Sequence, residues 1–188
     1  MAKWIESLSA AVDRISRIVI TIFFMFAFLA TVYQIFSRYV LQSAFLAETF
    51  PHFDFSVFNL TWIEEAIRYL FVWIVFLGIG SVYRAKGHAH VEFVLNYLAP
   101  KWKHRLLFFI EIANIIFFAL LIYLGINILQ FTSLQISPSL KLNMTFVYIS
   151  VLVSAGSCFI HSFAHLTNMA TAKRTDAPVS DQNVTPHI

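Results

Sequence analysis

Long uncharged apolar runs alternate with short polar stretches along this chain of 188 residues. The cleanest run covers 18–36, with Thr21, Thr31 and Gln34 as its polar members. A second covers 106–129, interrupted by Glu111, Asn114 and Asn127, and a third covers 144–163, with His161 near its end. A helix needs about 20 apolar residues, each rising about 1.5 Å, to cross roughly 30 Å of hydrocarbon. Each run therefore predicts a spanning helix. A fourth run is less tidy, because the uncharged stretch between Arg68 and Arg84 would cover only about 22 Å. The pattern thus predicts a helix over 62–83 that carries Glu64, Glu65 and Arg68 at or inside the membrane edge.

Between and before the spans the apolar residues keep helical spacing but share it with charges. Trp4, Ile5, Leu8, Val12 and Ile15 lie opposite Lys3, Glu6, Asp13 and Arg17, which predicts an amphipathic arm over 1–17 lying on the membrane surface. A second interfacial helix is predicted over 90–99, where Val91, Val94, Leu95 and Leu98 face away from Glu92 and Asn96 and Pro100 ends the run. The connection 39–61 is aromatic, with Phe50, Phe53, Phe55 and Phe58 around Pro51 and Asp54, and reads as a loop resting on its own spans. The stretch 166–188 is polar, contains Pro178 and Pro186, and is expected to be disordered. The four-span membrane domain would then occupy 18–165.

Composition agrees with lipid as the solvent. The chain is 59% hydrophobic, 17% aromatic and 12% charged, whereas soluble domains average about 45–50% apolar and about 25% charged residues. One core of this size cannot hide 21 phenylalanines. These proportions exclude a disordered chain, a nucleic-acid binder built on a basic patch, and most soluble enzymes. The single cysteine, Cys158, excludes an internal disulfide framework and a Cys-rich zinc site.

The net charge of +3 acquires its meaning from where the charges lie. Lys3, Arg14, Arg17, Arg84, Lys86, Lys101, Lys103, Arg105, Lys173 and Arg174 all fall on one side of the expected spans. Arg38 and Lys141 fall on the other, and Arg68 lies within a span. Basic residues are retained in the cytoplasm. The expected fold class is therefore an all-α membrane protein with four transmembrane helices, amphipathic interfacial arms and both termini cytoplasmic.

Polar residues within the spans need partners. Thr61-Trp62-Ile63-Glu64 matches a capping box, and Arg68 stands one turn on from Glu64, so an i,i+4 ion pair can neutralise both. Glu65 points elsewhere and is expected, with Arg68, to face another polypeptide at the outer membrane edge. Glu111 lies about 7 Å inside its span, at the depth of His161 and His165 on the antiparallel last span. A Glu111–His161 or Glu111–His165 contact holding these helices together is expected. Ser150, Ser154 and Cys158 recur every fourth residue, a small-residue face that permits close helix approach. His88 and His90 follow Arg84 and Lys86, outside the hydrocarbon, so no transverse pair of axial haem ligands is visible. No cofactor, metal or catalytic constellation is expected. A haem b-binding membrane anchor of an electron-transfer complex is the alternative reading.

The segment from Trp62 to Val91, WIEEAIRYLFVWIVFLGIGSVYRAKGHAHV, resembles the signature of the small membrane subunit of TRAP transporters, the DctQ-like family. The matching residues are Trp62, Glu64, Glu65, Arg68, Trp73, Gly78, Arg84, Gly87-His88 and His90-Val91, preceded by Gln34-Ile-Phe-Ser-Arg38-Tyr39-Val40. The connection from Arg38 to Trp62 is longer and more aromatic than the family pattern. The resemblance implies a tripartite sodium-coupled importer of the bacterial inner membrane. In it, a periplasmic binding protein captures a carboxylate solute (a C4-dicarboxylate or a sialic-acid-like sugar acid) and a large membrane subunit carries the sodium and substrate sites. The small subunit would be a non-enzymatic scaffold and anchor. Trp62, Glu64, Glu65, Arg68, Trp73, Arg84, His88 and His90 would then form its surface toward that partner or toward phospholipid.

Overall fold

A computed structural model describes residues 2–43, 58, 60–85 and 100–175 of the chain. Four long helices dominate it: α1 (Ala2–Phe36), α2 (Thr61–Arg84), α3 (Pro100–Thr132) and α4 (Thr145–Thr175). All four contain segments long and apolar enough to cross a membrane.

The arm over 1–17 and the first span, expected as separate elements, form one helix of 35 residues. No Gly or Pro interrupts 2–36, so nothing in the backbone calls for a break. At about 52 Å, α1 is longer than the hydrocarbon is thick. Thr21 and Thr31 return their hydroxyls to the carbonyls of Arg17 (2.9 Å) and Ala27 (2.7 Å), so neither is left unbonded. The helix ends in one π-helical turn, Ser37–Leu41. There Ser37 and Tyr33 donate to the Phe58 carbonyl at 2.9 and 3.1 Å and tie the approach to α2 against α1.

Leu60 caps α2 without any side-chain bond, so the capping box expected at Thr61 and Glu64 does not form. Pro100 opens α3, where its missing N–H costs nothing. At the start of α4, Asn143 Oδ1 accepts the Thr145 amide at 2.9 Å. The α3–α4 connection closes on itself through an isolated bridge between Ile136 and Asn143 and turns at Lys141, whose φ is 54°. The tail expected to be disordered from 166 is helical as far as Thr175. The predicted helix over 90–99 lies outside the described residues.

The helices run up and down. Ser9, Arg84, Glu111 and His161 share one end, here called the terminal end; Gln34, Glu64 and the α3–α4 connection share the other, the loop end. α4 packs against the other three helices, and α1 also lies along α2. Its buried face is the small-residue stripe seen in the sequence: Ser150, Ser154, Ser157 and Cys158 are all buried. Gly80 brings α2 close to this face, and Gly125 does the same for α3 against Leu152.

The distribution of side chains is inverted relative to a soluble bundle. The largest fully buried side chains are His161, Cys158, Ser137, Ser150 and Ser162, whereas Phe24, Phe28, Leu29, Phe109, Phe117 and Tyr123 are exposed. Water around this surface would be strongly unfavourable, since apolar area costs about 25 cal/mol per Å² to hydrate.

Candidate functional site

Two polar clusters join the helices, one at each end, and a groove beside the second is left open.

At the terminal end, the polar stripe of α1 turns inward. Ser9, Asp13 and Ser16 are buried while Trp4, Leu8, Ile15 and Ile18 are exposed. His161 is fully buried; its Nδ1 meets Ser9 Oγ at 2.8 Å and its Nε2 meets Ser157 Oγ at 3.1 Å. A neutral imidazole has one donor and one acceptor, and serine can be either, so both bonds form without charge on the ring. Asp13 accepts from Arg84 Nη1 at 2.7 Å and from Arg17 Nε at 3.1 Å, tying α1 to α2. Glu111 Oε2 accepts from Tyr83 OH at 2.9 Å and from Ser162 Oγ at 2.7 Å. Asn114 Nδ2 donates to the same phenol oxygen at 3.0 Å. Tyr83 also packs edge-on against Phe118, and the His165 ring lies 6.1 Å from it. A cavity of 540 Å³ opens between Asp13, Arg17, Arg84 and His165.

Glu111 does join α3 to α4, but through Ser162. The expected Glu111–His161 contact is not made, because both ring nitrogens of His161 face serines. Tyr83 is the hub between Glu111 and the His165 ring.

At the loop end Glu65, only 3% exposed, turns into its own chain. It accepts the Tyr69 hydroxyl and the backbone amides of Ser139 and Leu140, both at 2.9 Å. Successive amides around a carboxylate make an anion-holding concavity, and here Glu65 fills it and pins the α3–α4 connection to α2. The carboxylate expected to reach a partner is thus committed internally. Glu64 takes the Gln34 amide at 2.9 Å instead of pairing with Arg68. Among the described residues Arg68 forms no ion pair. Thr31, Gln34, Ile35, Glu64, Ile67 and Arg68 line an outward-facing groove of 330 Å³ between α1 and α2.

The remaining motif residues divide. Trp62 is exposed at the start of α2. Trp73 donates to the Phe146 carbonyl at 3.0 Å and meets Phe23 edge-on, so it serves helix packing. Arg84 is held by Asp13, and His88 and His90 lie outside the described residues. Ser9 and Tyr83 were not singled out from the sequence, and Asp13 and Gln34 were named there without a partner. The spacing of Ser9, Asp13 and Ser16 along one helix face was a usable signal, as was the polarity of Gln34 within an apolar run; Tyr83 offered none. Among the described residues no three His, Cys, Asp or Glu side chains gather as a metal site, and His161 offers no open nitrogen to an iron.

A polar interior, an apolar exterior and four membrane-length helices define a multi-pass integral membrane protein. Residues 27–172 match the family described as tripartite ATP-independent periplasmic transporters, DctQ component, and the chain belongs to that family. It is similar to a protein of Haemophilus influenzae that carries the name TRAP transporter small permease protein, with 26% identity over 96 residues. That match spans 51% of this chain and 58% of the relative's length.

Proposed function

We propose that the chain is the small membrane subunit of a sodium-coupled, binding-protein-dependent importer of carboxylate solutes, acting as scaffold and membrane anchor for a large transport subunit. A periplasmic binding protein is its transient partner and phospholipid its surrounding. The solute class, a C4-dicarboxylate or a sialic-acid-like sugar acid, is carried by family resemblance. Family membership supports a bacterial inner membrane location, and the asymmetry of Lys and Arg supports cytoplasmic termini.

The observation that carries the scaffold reading is how the internal polar groups are used. Transport sites are built near the midplane from broken helices and open polar groups. Here the buried carboxylates and His161 are spent on bonds between helices near the two ends. Gly80 lies against Ser157 beside the terminal-end cluster, and Gly125 lies against Leu152. Such a bundle is a rigid body to pack against.

Reconstitution into proteoliposomes tests the reading. Uptake of the solute is expected only when this chain, the large subunit, the binding protein and an inward sodium gradient are all present. Undiminished uptake by the large subunit without this chain would remove the scaffold role.

A further inference from the structure

We infer that the groove between α1 and α2 at the loop end is where a transmembrane helix of the large subunit docks, with a carboxylate of that helix opposite Arg68. The inference rests on the proposed function and adds to it the place and chemistry of the contact.

Three features converge on this groove. The first is an unmatched charge. Charged side chains within a span are almost always paired or turned into the bundle. Arg68 is exposed on the outer side of α2 and pairs with no described residue. The reason is visible one turn away: Gln34 of α1 draws Glu64 to itself, so the i,i+4 neighbour that would neutralise Arg68 is engaged elsewhere. The second is a held wall, since the Gln34 amide stays on Glu64 at 2.9 Å and keeps α1 beside α2 along the groove. The third is depth. Arg68 lies about 10 Å along α2 from Thr61, with Ile35 and Ile67 completing the walls.

Depth decides which occupant fits. A helix brings its backbone bonds already satisfied to that level of the bilayer. It can place a single carboxylate at Arg68 while its apolar side chains meet Ile35 and Ile67.

The test uses the intact complex, purified through a tag on this chain after coexpression with the large subunit. A photo-reactive benzoylphenylalanine replaces Ile67 or, separately, Ile35, with Ile116 on the outer face of α3 as the comparison site. Irradiation is expected to join the large subunit to positions 67 and 35. Independently, Arg68→Glu is expected to lower the recovered large subunit at least about tenfold at equal membrane levels of this chain. An Asp- or Glu-to-Lys change in the large subunit is expected to restore it. Adducts at 67 and 35 only with phospholipid, with the 39–61 segment or with a second copy of this chain would overturn the inference. So would capture of the large subunit at 116 but not at 67 or 35, and that result leaves the proposed function standing. Failure of the unsubstituted chain to retain the large subunit at all would remove the proposed function itself.

Discussion

Gly80 lies on α2 directly over Ser157 of α4. A Cβ placed there would stand 2.6 Å from Ser157 Oγ and 3.2 Å from its Cβ. The same hydroxyl serves His161 Nε2, so an added methyl must either push the helices apart or rotate the hydroxyl away from the ring. Overpacking of this kind costs about 1–3 kcal/mol. Gly80→Ala is therefore expected to lower the apparent melting temperature of the detergent-solubilised protein. Ser157→Ala in the same chain should restore part of that loss, because it removes the nearer clash. Additive effects of the two changes, read by thermal unfolding with a fluorescent thiol-independent reporter, would mean that Gly80 and Ser157 do not share this contact. Gly78, two residues away, has open space around its Cβ position, so Gly78→Ala is the natural control.

Among the elements, the α3–α4 connection has the most specific support. Its fold depends on Glu65, a residue some 75 positions earlier in the chain, accepting two consecutive amides. Sequence placed Glu65 near the start of its span but could not assign its partner. The bonding groups are main-chain amides, which carry no residue signature, and they are presented by a turn at Lys141. Glu65→Ala is expected to free the connection while leaving the four helices inserted. With Ser139→Cys as a reporter, a membrane-impermeant maleimide should react several times faster in the Glu65→Ala chain. Equal rates would show that the bridge between Ile136 and Asn143 holds the turn alone. The N-terminal part of α1 makes the complementary point. Its amphipathic pattern was legible, yet its polar face turns toward Arg84 and His161 and its apolar face turns outward, as suits a helix whose surroundings are lipid.

For the whole molecule, the charge asymmetry predicts an orientation that can be measured directly. Cys158 is 1% exposed, so the native chain offers a quiet background for thiol labelling. Leu134, 87% exposed in the α3–α4 connection, and Lys3, exposed at the opposite end, give reporters for the two faces. An impermeant maleimide added to spheroplasts is expected to label Leu134→Cys at once and Lys3→Cys only after lysis. The reverse order would invert the topology and move the groove at Arg68 to the cytoplasmic side. The docking groove is itself a property of this scale, since it needs α1 and α2 side by side and is written in neither helix alone.

The sequence by itself determined the solvent, the positions of the four spans and the family. These follow from local quantities: the length of each apolar run, the side on which basic residues accumulate, and the ordered residues of the segment from Trp62 to Val91. Only the tertiary structure decided which polar groups meet. Ser9 and His161 are 152 positions apart, and Tyr83 joins Glu111 across a segment of 28. In water, an apolar stripe would reveal which face of a helix packs inward. In lipid the outward face of every helix is apolar, and only a polar or small-residue stripe, as on α1 and α4, marks the inward face. Such a stripe does not say which groups on neighbouring helices will meet. Rotation and depth together fix the pairs, which is why Glu65 turned to its own chain, Glu111 to Tyr83 and Ser162, and Arg68 to the outside.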